Sequence, residues 1–201
     1  MLHSYHQRPA KEGILTLKHE DRDHSLRSFE GHQPQLGNRV FIDRNASVIG
    51  NVTIGDDSSV WPWAVVRGDM HSIRIGQRTS IQDGSICHIT HAGPYNPDGW
   101  PLVIGDDCTI GHGVILHGCT LGNRILAGMR STIMDGVIIQ DDVVIGANSL
   151  VTPGKVLESG FLYTGSPARK IRSLTEKEMH YFTYSANNYC QLKNRYLAEY
   201  R

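Results

Sequence analysis

Three histidines stand out in this 201-residue chain by type and spacing: His88, and then His112 and His117 within "IGHGVILHGC". An imidazole can ligate a metal or pass a proton near neutral pH. Ligands on one helical face fall three or four residues apart, and ligands on one strand face fall an even number apart. The spacing of five between His112 and His117 fits neither. The two side chains therefore point in different directions, and their chemistry depends on the elements that carry them.

Those elements form a repeat. From Ile54 the chain reads in blocks of six, each opened by an aliphatic or small residue, often followed by glycine and closed by a small or polar residue. The openers are Ile54, Val60, Val66, Ile75, Ile81, Cys87, Ile104, Ile110 and Leu116. A period of six predicts a mainly β protein, a parallel β-helix of hexapeptide repeats in which each hexad makes one short strand and a corner. Three hexads complete a triangular coil, and coils stack about 4.8 Å apart. The openers point inward, and glycines at the second position are expected to supply backbone conformations that side chains penalise. The longer period-two runs of a β-sandwich are absent.

The period breaks around "GDMHSIR" and at "HAGPYNPDGWPLV", a Pro/Gly/Asn-rich loop ejected between Cys87 and Ile104. Residues 25–172 are read as the β-helix domain and residues 173–201 as a C-terminal α-helix packed along it. In that helix Ser173 and Glu176 have the spacing of a capping box, and Met179, Phe182, Ala186, Tyr189, Leu192 and Tyr196 recur at helical spacing. Residues 1–24 are polar and aperiodic, and are expected to be a disordered extension. His3, His6, His19 and His24 within them stay outside the site reasoning.

Composition excludes several functions. Twenty basic and twenty acidic residues cancel, without the one-signed patch that nucleic acid or an anionic membrane surface requires. No run approaches the ~20 apolar residues of a membrane span, and no apolar signal core follows the N-terminal charges. Cys87, Cys108, Cys119 and Cys190 show no CxxC spacing, which points to free thiols in a reducing cytoplasm.

Counting by hexads places the histidines. His88 is the second residue after the opener Cys87, His117 the second after Leu116 one coil later, and Arg67 the second after Val66 one coil earlier. Arg67, His88 and His117 thus form one column. His112 is a third residue, as is Asp83 one coil before it, and these two form a second column at a different corner. One chain cannot readily bring both columns to a point, but a three-fold ring of chains can, because column one of each subunit then faces column two of the next. Three imidazoles with an open fourth position make a catalytic zinc-type site. Arg67 would then pair with Asp83 of the partner subunit beside it.

At these residues the chain resembles the gamma-class carbonic anhydrase family. The matching motifs are "RGD" (Arg67, Asp69), "QDGSICH" (Gln82, Asp83, His88) and "GHGVILHG" (His112, His117), and the likeness spans roughly residues 26–200. A bacterial branch of the family shares "HITH", "YNPDG", "LESGFLYTGSP" and "YSANNY". The resemblance implies a left-handed coil, although most parallel crossovers are right-handed. It also implies a homotrimer with a metal, Zn²⁺ or else Fe²⁺ or Co²⁺, at each subunit interface, and hydration of CO₂ to bicarbonate. Metal ligation falls on His88, His112 and His117, and the intersubunit salt bridge on Arg67 and Asp83. Gln82 matches a residue that positions the reacting water. Tyr189 matches a tyrosine that lines the site, with helix packing the equal alternative.

Three positions depart from the family pattern. Ser80 replaces an asparagine that orients the glutamine, Met70 replaces a glutamate, and the ejected loop lacks a glutamate for proton transfer. His91 or His71 could relay protons, or simply be loop residues. Other readings with the same fold are a metal-stabilised trimer acting as a scaffold, a metal-dependent thioester hydrolase, and a hexapeptide acyltransferase that uses one histidine as general base.

Overall fold

The hexad openers stack on one another from coil to coil. Val48, Val66, Cys87, Leu116, Ile133 and Val151 are successive Cα partners along one face. Ile54, Ile75, Ile104, Leu121, Ile139 and Leu157 stack along the second, and Val60, Ile81, Ile110, Ala127, Ile145 and Tyr163 along the third. All are buried and together form the core. This computed structural model describes residues 25–199, and the extension expected over residues 1–24 lies outside them.

The ladders are parallel apart from the last and collect into a 12-stranded and an 8-stranded sheet. The larger one covers two faces because Val65–Ile75 runs as one strand through a corner, pairing with both Ile86–His88 and Leu102–Ile104. The extra residues of "GDMHSIR" thus straighten a corner. At the C-terminal end Phe161–Gly165 pairs antiparallel with Ala168–Ser173. That hairpin ends the parallel stack and covers an edge that would otherwise be open to pairing.

The second-position glycines have a different role from the one expected. Gly55, Gly76, Gly105 and Gly122 do not have positive φ. They are needed because the next coil lies against them: a Cβ on Gly55 would fall 2.7 Å from the backbone nitrogen of Gln77. The left-handed residues come two positions later and carry side chains: Arg39, Asp57, Arg78, Asp107, Arg124 and Asp142, with φ of 53 to 59°. Each costs roughly 1–2 kcal/mol of backbone strain. Ion pairs up the corner offset this, with Arg39 on Asp57, Arg78 on Asp107 (2.6 Å) and Arg124 on Asp142 (2.6 Å). The backbone closes the same corner, Asp57 N–H donating to the Asn38 carbonyl (2.9 Å) and Arg78 N–H to that of Asp56 (2.8 Å).

The helix runs Glu176–Glu199 and is capped two residues later than expected. Ser173 is still paired with Phe161 in the closing hairpin, so it cannot turn to cap a helix. Thr175 does so instead: its Oγ1 accepts from Glu178 N–H (3.3 Å), and Glu178 Oε2 accepts from Thr175 N–H (2.8 Å). Phe182, Ser185, Ala186 and Lys193 are the buried residues of the helix, while Met179 and Tyr196 sit at the rim. Ser185 Oγ and Thr109 Oγ1 lie 2.8 Å apart, joining helix to coil. No helix among the described residues is long and apolar enough to cross a membrane.

Lys193 is fully buried and donates to Asp57 Oδ1 (2.9 Å) and Asn194 Oδ1 (2.7 Å). The hydrogen bonds from Arg39, and then from Lys193, hold the Asp57 carboxyl down to about 2 against the effect of burial. A buried ammonium stripped of its carboxylate costs more than an ion pair replaced on its buried side by an apolar chain. Asp57→Ala should therefore lower the urea midpoint by the equivalent of about 3–5 kcal/mol, and Lys193→Met should lower it less. Within the core, Leu116→Ala should cost about 2–5 kcal/mol by the same measurement.

Candidate metal centre

His88 and His117 are Cα partners on adjacent coils. Their openers Cys87 and Leu116 face the core, so both imidazoles project outward, with ring centroids 5.1 Å apart. Arg67 follows Val66, the partner of Cys87 on the coil before, so the first column is in place.

Each imidazole is fixed by a carboxylate on its far side. Asp69 Oδ1 lies 3.1 Å from His88 Nε2 and is itself bound by Arg67. Asp135 Oδ1 lies 2.6 Å from His117 Nδ1, and Asp135 Oδ2 accepts from Thr90 Oγ1 (3.0 Å). Burial works against the charged form of Asp69, but the hydrogen bonds from Arg67 and His88 outweigh it and hold its pKa below the usual carboxylate value. A carboxylate only accepts, so His88 Nε2 and His117 Nδ1 carry the protons. The two remaining nitrogens, His88 Nδ1 and His117 Nε2, then present lone pairs to each other across 3.1 Å.

That arrangement fits a metal ion. Two facing lone pairs need a shared electrophile, a proton or a cation. Burial, aided by the charge of Arg67, lowers the His88 pKa despite Asp69 and so disfavours the proton. A tetrahedral ion with bonds of about 2.0–2.1 Å sets ligand nitrogens about 3.3 Å apart, close to the separation here.

His112 lies elsewhere, at the corner after Thr109–Ile110, where Gly113 holds the left-handed turn (φ 68°). Its Nδ1 is 3.0 Å from Asp83 Oδ2, and both side chains are about half exposed. Gly113 N–H donates to the Asp83 carbonyl (2.9 Å), which seats one turn on the other and forms the second column. Among the described residues of one chain, no three metal-binding side chains converge. Two of the three candidate ligands are together, and the third is at a separate corner.

Gln82 is buried at the base of the second column, its N–H donating to the Ile110 carbonyl (2.9 Å). Tyr189 packs edge-on against Trp61 (6.1 Å), and burial, then the charges of Tyr181 and of nearby Asp83, raise its pKa. It therefore packs the helix and also borders the second column. Ser80 accepts from the Trp61 indole (2.9 Å), so the departure at this position serves the Trp61, Phe41 and Tyr196 cluster beneath the helix. Met70 is half exposed. His71 binds the ejected loop, Nε2 donating to the Asp98 carbonyl (3.2 Å) and Nδ1 accepting from Ser72 N–H (2.7 Å), while His91 is exposed.

Asp69 and Asp135 are the functional candidates to which sequence reasoning gave no role. Asp135 was accessible to the same counting, since it lies 18 residues, about one coil, beyond His117. Asp69 stands next to the irregular corner, where hexad counting stops working.

Comparison with known proteins agrees with this fold. Residues 33–68 match the family model described as Bacterial transferase hexapeptide (six repeats). Protein YrdA of Escherichia coli (strain K12) is 55% identical over 174 residues, covering 87% of this chain and 95% of that protein. Gamma carbonic anhydrase 2, mitochondrial, of Arabidopsis thaliana is 36% identical over 184 residues, covering 90% of this chain and 65% of that protein. The crystal structure of a hexapeptide transferase family protein from Anaplasma phagocytophilum superposes with a TM-score of 0.80 at 39% identity, covering 87% of this chain and 99% of that one. The likeness to YrdA over nearly its whole length, with the plant enzymes as further homologues, places this chain in the gamma-class carbonic anhydrase-like family of hexapeptide-repeat proteins, in the branch of YrdA.

Proposed function

We propose that the chain forms a homotrimer that hydrates CO₂ to bicarbonate at metal centres shared between neighbouring subunits. The observation that carries this reading is the pair of facing nitrogens, His88 Nδ1 and His117 Nε2, 3.1 Å apart with their outer nitrogens held by carboxylates. These two would hold the ion together with His112 of the partner subunit. A bound Zn²⁺, Fe²⁺ or Co²⁺ would supply hydroxide near neutral pH for attack on CO₂.

The chain's own residues support the assembly. Ile86 and Ile115 project outward from the same strands as His88 and His117 and are 42% and 38% exposed, so an apolar rim adjoins the ligand pair. His112 keeps Nε2 for a group outside its own turn, because Nδ1 is directed to Asp83. Arg67 spends Nη1 on Asp69 and has further donors for Asp83 of the partner subunit. Gln82, buried beside Asp83, would orient the reacting water through its amide. The free cysteines suit a cytoplasmic setting.

A second reading, a metal-stabilised trimer without turnover, is favoured by Ser80, whose hydroxyl is committed to Trp61. Purified protein should carry about one metal ion per chain and accelerate CO₂ hydration in stopped flow, and His117→Ala should lose both. Full metal loading with a rate no higher than that of His117→Ala would favour the scaffold. Metal far below one per chain in a folded protein would contradict the site itself.

A further inference from the structure

We infer that Asp135 is a positioning residue for the metal centre, presenting His117 Nε2 to the ion, and that Thr90 positions Asp135 in turn. The inference rests on the reading of His117 as a ligand.

Asp135 and His117 come from different coils, 18 residues apart, yet their side chains meet at 2.6 Å. A histidine ligand needs its non-ligating nitrogen held, because an imidazole free to rotate or to exchange tautomers offers its lone pair only part of the time. Asp135 supplies that hold. As an acceptor it selects the Nδ1–H tautomer and so leaves Nε2 as the lone pair, aimed at His88.

Asp135 is itself held through both its side chain and its backbone. Its second carboxylate oxygen accepts from Thr90 Oγ1 (3.0 Å). The Asp135 carbonyl accepts from Gly154 N–H (3.0 Å), and Gly136 N–H donates to the Gly118 carbonyl (2.8 Å), which seats the Asp135–Gly136 turn on the coil of His117. Thr90 is locked by a two-way backbone pair with Trp100, Thr90 N–H to Trp100 carbonyl (3.0 Å) and the reverse (2.8 Å). The Trp100 ring covers Gly136 so closely that a Cβ there would meet it at 3.1 Å. The base of the ejected loop is thus joined to the ligand through Trp100, Thr90 and Asp135, so the loop contributes to the metal site without supplying a ligand.

The test is zinc affinity, read by competition with a chromophoric chelator on the purified full chain. Asp135→Ala and Asp135→Asn should weaken zinc binding by about 10–100-fold, and Thr90→Val by a smaller factor in the same direction. Asp135→Asn and Thr90→Val keep the shape of the turn, so their metal-free thermal midpoints should match the parent. Nitrogen-15 NMR of the metal-free protein gives an independent readout: His117 should be the Nδ1–H tautomer in the parent and shift toward Nε2–H in Asp135→Ala. If all three variants bind zinc as tightly as the parent while His117→Ala loses it, Asp135 has no positioning role and the inference is overturned, with the metal centre intact. If His117→Ala binds zinc as tightly as the parent, both the metal centre and the inference fall.

Discussion

The stacking of inward residues from coil to coil is the constraint on which the rest of this molecule depends. Once Cys87 sits on Leu116 in the core, His88 must sit on His117 outside it, because a strand sends alternate side chains to opposite faces. A slip of one residue would bury the imidazoles and expose the openers, at a cost of several buried aliphatic side chains. The hydrophobic core therefore sets the spacing of the polar columns. The corners add a second restraint, since Gly55, Gly76, Gly105 and Gly122 allow the coils to approach to a distance no side chain would tolerate.

Two columns at two corners follow from that register. The Arg67, His88, His117 column has its own carboxylates, Asp69 and Asp135, and its rings face each other. The Asp83, His112 column lies by the C-terminal helix, where Tyr189 and Trp61 border it. The buried Lys193 and its partner Asp57 anchor that helix to the charged corner. Helix docking, the Arg and Asp ladder and the second column are thus parts of one surface, while the first column stands on another face of the coil.

Much of this was legible in the sequence because a period of six fixes both depth and height along the coil. The opener set, the two columns and the ejected loop all follow from counting, and the register pairs His88 with His117 as the count requires. What counting missed has physical reasons. At the corner that follows Gly55, Gly76, Gly105 and Gly122 the left-handed conformation was assigned to these glycines, but the aspartates and arginines two positions later take it, supported by ion pairs between coils that no local pattern displays. The helix cap moved from Ser173 to Thr175 because the preceding strand keeps Ser173 in its ladder. Asp69, present in the "RGD" motif, received no role because the straightened corner interrupts the period, and Asp135 received none although it lies 18 residues, about one coil, beyond His117. The role of Ser80 depends on an aromatic cluster assembled by a helix more than a hundred residues later.

The central claim is that each metal centre is built from two subunits, and subunit mixing tests it directly. His112→Ala and His117→Ala chains each lack one ligand, so neither alone should hold zinc tightly. Unfolded together in equal amounts and refolded, they form mixed rings in three of every four trimers, and each mixed ring has one junction with all three histidines. The account predicts recovery of about a quarter of the wild-type zinc and hydration rate, as closed three-fold symmetry requires. Recovery of neither from a well-folded mixture, or tight zinc binding by His112→Ala alone, would contradict it.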